Sequence, residues 1–197
     1  NKRLSPYDVG WKIVAINASD IAAMGHNPEW ATLSISAPIT TNKEWFLEFS
    51  KGMRKALKHW NINLLGGDTT RSNHSIMVSM AMGSRKGNIT VWRGGAKVGD
   101  DIWVTGTLGN AAYGFFHLDS TIGIKDLQRP NPPVRFASSI ASFNIVHAMT
   151  DISDGLHTDL RNICEASSVG AVIVPDQIPK GSELWQEKNA LSYATAF

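Results

Sequence analysis

The chain has 197 residues, 43% apolar and 18% charged, which is enough apolar sequence for one domain or two small ones. Its 19 basic and 17 acidic residues are well mixed and leave a net charge of +2, which excludes a broad basic surface for nucleic acid or an anionic membrane. With one cysteine and no run near the roughly 18 apolar residues of a membrane-spanning helix, we expect a cytoplasmic protein outside the membrane.

The first part of the chain predicts a sheet with helices on one face. Residues 10–26 carry apolar side chains, among them Ile16 and Met24, at helical spacing and predict a largely buried helix. Asn42 or its neighbour Thr41 could cap a second, amphipathic helix that runs to about residue 60. The predicted strands of this part are 31–37, 61–70 and 74–83.

Around residues 87–99 the composition shifts to Gly, Lys and Arg, which predicts a junction between a domain at 1–87 and one at 88–197. Helices and strands also alternate in the second part. Its predicted strands are 100–106, 148–155 (running into a turn) and 169–175, and its predicted helices are 110–118, 134–143 and 154–167. We therefore expect an α+β protein in two parts.

Three short motifs place aspartates at the edges of apolar segments without a neighbouring cation. A carboxylate in such surroundings costs several kcal/mol unless it takes up a proton. A hard divalent cation removes that cost, because Mg²⁺ favours one or two carboxylates together with phosphate oxygens. Their convergence would form a metal–phosphate site and predicts phosphoryl transfer. The motifs are Ser19-Asp20, Gly66-Gly67-Asp68-Thr69 and Asp151-Ile152-Ser153-Asp154-Gly155.

Asp20 is the sharpest anomaly of the three motifs. Its neighbours three and four residues away along the helix are Ile16, Asn17, Ala23 and Met24, which offer no ion pair. The alternative to a ligand role is that Asp20 faces solvent or caps a neighbouring segment.

The other two motifs also have structural alternatives. The glycines before Asp68 let the backbone approach a ligand, but a turn with an Asx-type bond explains the same residues. Ser153 or Asp154 could cap the following helix, although a cap needs one polar group and a helix N-terminus also attracts phosphate. Arg93 could neutralise phosphate charge or be an exposed loop arginine.

Taken in order, the motifs resemble the thiamine-monophosphate kinase family, part of a superfamily that includes AIR synthetase, selenophosphate synthetase and a hydrogenase maturation factor. The motif at 151–156 (DISDGL) is the one that separates this kinase from its relatives. The matching segments are 8–12 (DVGWK), 15–25 (AINASDIAAMG), 66–70 (GGDTT), 93–100 (RGGAKVGD), 104–114 (VTGTLGNAAYG), 132–135 (PPVR), 151–156 and 167–171 (SSVGA).

The resemblance implies two α/β domains, with the N-terminal domains of a homodimer pairing into a shared β-barrel. It also implies an ATP site between the domains and at the subunit interface. The residues that match magnesium ligands are Asp20, Asp68, Asp151 and Asp154. Those that match nucleotide contacts are Gly67, Asp68, Arg93 and Ser153, and those that match the catalytic centre are Arg93, Asp151 and Asp154.

The implied reaction is Mg²⁺-dependent, direct transfer of the γ-phosphoryl group of ATP to thiamine monophosphate, giving thiamine diphosphate and ADP. The alternatives are a cyclo-ligase similar to AIR synthetase and a non-catalytic nucleotide-binding remnant. The family's opening metal-binding segment and its C-terminal thiamine-contacting segment have no match in these 197 residues, so we expect the polypeptide to be longer.

Overall fold

The computed structural model describes residues 4–85, 89–117, 121–181, 184 and 190–195. Helices and one sheet are mixed, as the sequence predicts. The helices are α1 (Pro6–Ala23), α2 (Lys43–Trp60), α3 (Asn110–Phe116), α4 (Ile124–Gln128), α5 (Val134–Ser142), α6 (Leu156–Ser167) and α7 (Ala190–Thr195), with a short 3-10 helix at Pro175–Gln177. The strands are β1 (Trp30–Ala37), β2 (Asn63–Arg71) and β3 (Met77–Gly83). Across these ranges, no helix is both long and apolar enough to cross a bilayer.

Helix α1 begins at Pro6 rather than at residue 10, because a capping box fixes its first turn. The backbone N–H of Asp8 donates to Ser5 Oγ at 3.2 Å, and the backbone N–H of Ser5 donates to Asp8 Oδ2 at 3.1 Å. Two N–H groups that the helix cannot satisfy internally are thereby paired. The predicted start was wrong because the local polar pair, rather than the apolar pattern, sets the boundary.

The buried face of α1 consists of small residues, including Val14 and Ala18 at 0% exposure. Ile16 and Met24 are 44% and 39% exposed, so the prediction of a largely buried apolar helix was wrong for these side chains. The reason is that the buried residues recur on one face of α1 (Gly10, Val14, Ala18 and Ala22), whereas Ile16 lies off that face and Met24 lies past the end of the helix.

Helix α2 begins as predicted, with Asn42 as its cap: Asn42 Oδ1 accepts from the backbone N–H of Trp45 at 2.9 Å. Glycines mark its crossing with α1. A Cβ atom on Gly10 would lie 2.1 Å from the carbonyl oxygen of Phe49, and one on Gly52 would lie 1.9 Å from that of Tyr7. The two helix backbones are therefore in direct contact.

The sheet has the strand order β2-β1-β3. Strand β1 pairs with β2 in parallel through the α2 crossover, and with β3 antiparallel. Ala31, Ile35 and Ala37 of β1 point to the helices and are buried, whereas every residue of β2 is exposed. The helices thus cover one face of the sheet at β1 and β3, as predicted, whereas the other face is open and β2 is exposed on both faces.

The main core lies between this sheet, α1, α2 and α5. Val134 and Ala137 of α5 belong to it, so the second part of the chain contributes to the same core as the first. Its buried members are Val14, Ala18, Ala22, Ala31, Ile35, Ala37, Phe49, Met53, Ala56, Leu57, Ile62, Met80, Val134 and Ala137.

The three strands predicted for the second part, 100–106, 148–155 and 169–175, are wrong. Alternating apolar residues indicate an extended segment, but a strand also needs a neighbouring strand to pair with. Trp103 and Val172 are each 88% exposed, and the β-bridge of the described second part is Leu108 with Lys180. The helices predicted there match α3, α5 and α6.

The segment around α4 is held against the first turns of α1 by hydrogen bonds and an ion pair. Trp11 Nε1 donates to the carbonyl oxygen of Pro130 at 2.9 Å, and Lys12 Nζ donates to that of Leu127 at 3.0 Å. Arg129 Nε pairs with the buried Asp8 carboxylate at 2.6 Å. Burial lowers the pKa of the Lys12 ammonium. These contacts hold the second part of the chain against the helix that carries Asp20.

Candidate active site

A surface pocket of about 320 Å³ brings together three of the predicted site residues, Asp20, Arg93 and Asp151. They come from three distant segments: the last turn of α1, the segment after residue 89, and the loop before α6. The full lining is Asp20, Ala23, Met24, Val91, Trp92, Arg93, Met149, Thr150 and Asp151.

Two backbone hydrogen bonds explain why these segments meet. The N–H of Val91 donates to the carbonyl oxygen of Met24 at 3.1 Å, and the N–H of Met149 donates to that of Trp92 at 3.1 Å. The segment 91–92 is therefore held between the end of α1 and residue 149. Arg93 directly follows it, and Asp151 lies two residues beyond Met149.

Ser19 connects the two carboxylate segments directly. Its hydroxyl donates to Asp151 Oδ2 at 3.0 Å. We did not assign Ser19 a role from the sequence, although it precedes Asp20 in the first motif and its residue type could have indicated a hydrogen-bond donor. The contact orients the Asp151 carboxylate toward the last turn of α1.

Electrostatically, the pocket disfavours the charged form of Asp20. Asp20 is exposed to solvent, as one alternative predicted, yet partial burial of its carboxyl group raises its pKa, and the carboxylate of Asp151 raises it further. Asp20 also lies in the last turn of α1, where the exposed carbonyls of a helix disfavour negative charge. Neither carboxylate forms an ion pair within the described ranges. A bound cation would therefore stabilise the negative charge of both carboxylates.

The donor set fits Mg²⁺, which takes hard oxygen ligands and is commonly held by one or two protein carboxylates together with substrate phosphates. Asp20 and Asp151 supply the carboxylates, and the exposed Arg93 lies on the same pocket wall. In the part of the chain that the structure describes, no three His, Cys, Asp or Glu side chains cluster as metal ligands.

The turn at Ser153 and Asp154 is organised by Asp159, which the sequence reasoning missed. Asp159 is 4% exposed, and its Oδ2 accepts from the backbone N–H groups of Ser153 at 2.9 Å and Asp154 at 3.0 Å. The alternative that Ser153 or Asp154 caps α6 is wrong, because Gly155 occupies the N-cap position without a side-chain bond. The sequence signal was a second aspartate five residues after Asp154, inside an otherwise amphipathic helix.

Asp68 lies elsewhere, in a shallow depression on the open face of the sheet. Its neighbours across the strands are Ser34 of β1 and, beyond it, Ser79 of β3. Asp68 Oδ1 accepts from the backbone N–H of Thr69 at 2.8 Å, a bond to the next residue within β2, so the turn with an Asx-type bond given as the alternative was wrong. A Cβ on Gly67 would lie 1.8 Å from the carbonyl oxygen of Leu33, so close strand packing requires this glycine.

Comparison with known proteins identifies related sequences over both parts of the chain. The family models described as AIR synthase related protein, N-terminal domain, and AIR synthase related protein, C-terminal domain, match residues 2–84 and 97–194. The thiamine-monophosphate kinase of Buchnera aphidicola subsp. Acyrthosiphon pisum (strain APS) is 42% identical over 98% of this chain and 62% of its own length. That of Haemophilus influenzae is 35% identical over 92% of this chain and 57% of its own. The chain thus spans about three fifths of these relatives.

Solved structures share the same architecture. The thiamine-monophosphate kinase of Stenotrophomonas maltophilia K279a superimposes with a TM-score of 0.86 at 34% identity, over 100% of this chain and 66% of that one. AaThiL complexed with AMPPCP and TMP superimposes with a TM-score of 0.84 at 27% identity, over 98% of this chain and 65% of that one. The hydrogenase maturation protein HypE of E. coli, at 17% identity and a TM-score of 0.77 over 95% of this chain and 62% of that one, shares the fold.

Proposed function

The chain belongs to the AIR synthase related protein family, and we propose that the complete protein is an ATP-dependent thiamine-monophosphate kinase. The observation that carries the proposal is that Asp20, Asp151 and Arg93 line one pocket. The two carboxylates are suited to bind a cation, and the guanidinium beside them is suited to bind a phosphate group. The kinase names of the relatives and the motif at 151–156 support thiamine monophosphate as the acceptor.

In this proposal, Asp20 and Asp151 hold Mg²⁺ through their carboxylate oxygens. Bound there, the ion supplies positive charge that offsets the repulsion between the phosphates of the two substrates. Ser19 keeps the Asp151 carboxylate turned toward α1 through its hydrogen bond. The guanidinium of Arg93, which is exposed at the pocket wall, binds a phosphate oxygen of ATP.

The acceptor of the proposed reaction is a phosphate oxygen that is already ionised at neutral pH, so the site needs no strong general base. The protein's contribution is to position two anions in line and to stabilise the charge of the transferring group. We infer direct transfer without a phosphoenzyme. ADP–ATP isotope exchange in the absence of thiamine monophosphate would contradict that mechanism.

The remaining assignments are proposed on the resemblance. Asp68 and Asp154 are further Mg²⁺ contacts, and Gly67 and Ser153 contact the nucleotide. Since Asp159 already accepts from the backbone N–H groups of Ser153 and Asp154, these two residues would act through their side chains. The domain boundary at 87/88 and a cytoplasmic location remain part of the proposal.

We also propose a homodimer in which the N-terminal sheets of two copies pair into a β-barrel. The support is the exposure of the sheet: every residue of the edge strand β2 is exposed, and Leu65 of β2 and Met77 of β3 are 67% and 60% exposed. Sedimentation equilibrium tests this proposal, and a monomer at micromolar concentration would contradict it.

The direct test is formation of thiamine diphosphate from thiamine monophosphate and MgATP by the complete protein. We expect product from the parent and at least about 10²-fold less from Asp68→Asn, because one carboxylate ligand is lost. Bound ATP without product from the parent would overturn the kinase proposal. If Asp68→Asn kept the parental activity, Asp68 would not be a metal ligand, and the active site would be the pocket that contains Asp20.

A second test concerns the stability of the metal-free protein. The pKa of Asp20 in the folded protein lies above its ordinary value of 3.8. The folded state therefore holds this proton more tightly than the unfolded chain does, and the free energy of unfolding falls as the pH rises from the ordinary pKa through the raised one. Asparagine carries no proton to lose, so we expect Asp20→Asn to unfold at a higher temperature than the parent at pH 7 without Mg²⁺. The expected Mg²⁺ response is the reverse: at about 100 times its dissociation constant, the ion should stabilise the parent by about 2.7 kcal/mol and the variant far less.

The matched control is Asp176→Asn, an exposed carboxylate in the short 3-10 helix. It should leave both the midpoint of thermal unfolding and the Mg²⁺ response unchanged. Equal stabilisation of the parent and Asp20→Asn by Mg²⁺ would contradict the assignment of Asp20 as a ligand.

A further inference from the structure

His26 is a buried polar residue that the mechanism above does not use. It lies three residues after the end of α1 and is 8% exposed. Its Nε2 lies 2.9 Å from Thr90 Oγ1, and its backbone N–H donates to the carbonyl oxygen of Ile21 at 3.2 Å. His26 does not line the pocket. A partly buried hydrogen bond between side chains 64 positions apart in sequence fixes two segments relative to each other.

Thr90 begins the short segment that delivers Arg93 to the pocket. The next residue, Val91, is 5% exposed and bonded through its N–H to Met24, and Trp92 accepts from Met149. Thr90 is therefore the side-chain anchor just before the two backbone hydrogen bonds, and Arg93 is the first residue after them. A shift of this segment along its own axis would move the guanidinium relative to both carboxylates.

Residues 90–93 are closely packed on the side that faces α5. Gly25 has φ +79°, and a Cβ there would lie 2.5 Å from Ala141 Cβ and 3.4 Å from Val91 Cγ2. Packing thus restricts sideways movement of residue 91. Movement along the segment is opposed by the two backbone bonds and by the contact between His26 and Thr90.

We propose that His26 and Thr90 are a positioning pair for Arg93. Their hydrogen bond fixes the register of residues 90–93, so that the guanidinium stands beside Asp20 and Asp151 where the phosphates of ATP bind. This inference rests on the proposed function, because it takes MgATP as the ligand of the pocket. The pair acts through the backbone of Val91 and Trp92 and touches no substrate.

The experiment uses four single variants and one double variant of the complete protein. Thr90→Val removes the hydroxyl and keeps the shape, and Thr90→Ser keeps the hydroxyl. His26→Ala removes the ring, and His26→Gln returns a polar atom near the position of Nε2. For each variant we would measure kcat and KM for MgATP, affinity for a non-hydrolysable ATP analogue, and amide hydrogen exchange at Val91 and Met149.

We expect Thr90→Val and His26→Ala each to raise KM for MgATP about 5- to 10-fold with kcat within about twofold, and to speed amide exchange at both positions. Thr90→Ser and His26→Gln should restore most of the parental KM. The double variant His26→Ala/Thr90→Val should have a KM for MgATP no higher than that of the single variant with the larger increase, since both substitutions remove the same hydrogen bond.

Two results would overturn the inference: parental KM and exchange in Thr90→Val, or fully additive effects in the double variant. Thr90→Val decides the question even if His26→Ala does not fold. If the parent makes no thiamine diphosphate, the proposed function fails separately, and the inference is then judged on analogue affinity and amide exchange. Unchanged values of both in Thr90→Val would reject it.

Discussion

Asp151→Asn will lower the rate of thiamine diphosphate formation by on the order of 10²–10³-fold, while the folded protein stays at least as stable as the parent. Asparagine keeps the shape of the side chain and still accepts the hydrogen bond from Ser19, so the pocket keeps its geometry. It cannot supply the negative charge that a divalent cation requires. The change also removes the repulsion that helps to raise the pKa of Asp20.

The measurement is steady-state formation of thiamine diphosphate across a Mg²⁺ titration, together with the midpoint of thermal unfolding without Mg²⁺. Asp101→Asn, an exposed carboxylate outside the pocket, is the matched control and should keep the parental rate. If Asp151→Asn retained more than about a tenth of the parental rate, its carboxylate would not be a catalytic metal ligand.

The N-terminal half follows closely from local sequence signals. Asn42 marks the start of α2 and the alternating residues of β1 mark its buried face, because caps and strand patterns depend on neighbours a few residues away. The start of α1 was missed for a local reason too: the reciprocal bonds of Ser5 and Asp8 outweigh the apolar pattern that begins later.

The site is harder to predict because it depends on contacts between distant residues. The sequence indicates that Asp20 and Asp151 need a cation, but only the fold places them together, through the bonds of Val91 and Met149. Asp159 was missed because the sequence shows an aspartate inside a helix but does not show which N–H groups donate hydrogen bonds to its carboxylate. The strands of the second part were wrong because alternation cannot report whether a pairing partner exists.

Gly52→Ala will destabilise the protein by about 3 kcal/mol or more, the upper part of the range for overpacking a buried contact. The new Cβ would lie 1.9 Å from the carbonyl oxygen of Tyr7, which is helix backbone and cannot move alone. Alanine gains about 1 kcal/mol of helix propensity over glycine, and this gain is far too small to offset separation of α1 from α2. The measurement is the urea midpoint at constant slope.

Gly170→Ala is the control, since a Cβ at Gly170 meets nothing within 4 Å. It should leave stability unchanged or raise it by about 0.4–1 kcal/mol by restricting the unfolded chain. Equal midpoints for the two variants would contradict direct contact between the helix backbones. The same contact has a functional consequence: α1 carries Asp20, so a displaced α1 would move that carboxylate away from Asp151. Folded Gly52→Ala at low temperature should therefore bind Mg²⁺ more weakly than the parent, whereas Gly170→Ala should bind it equally.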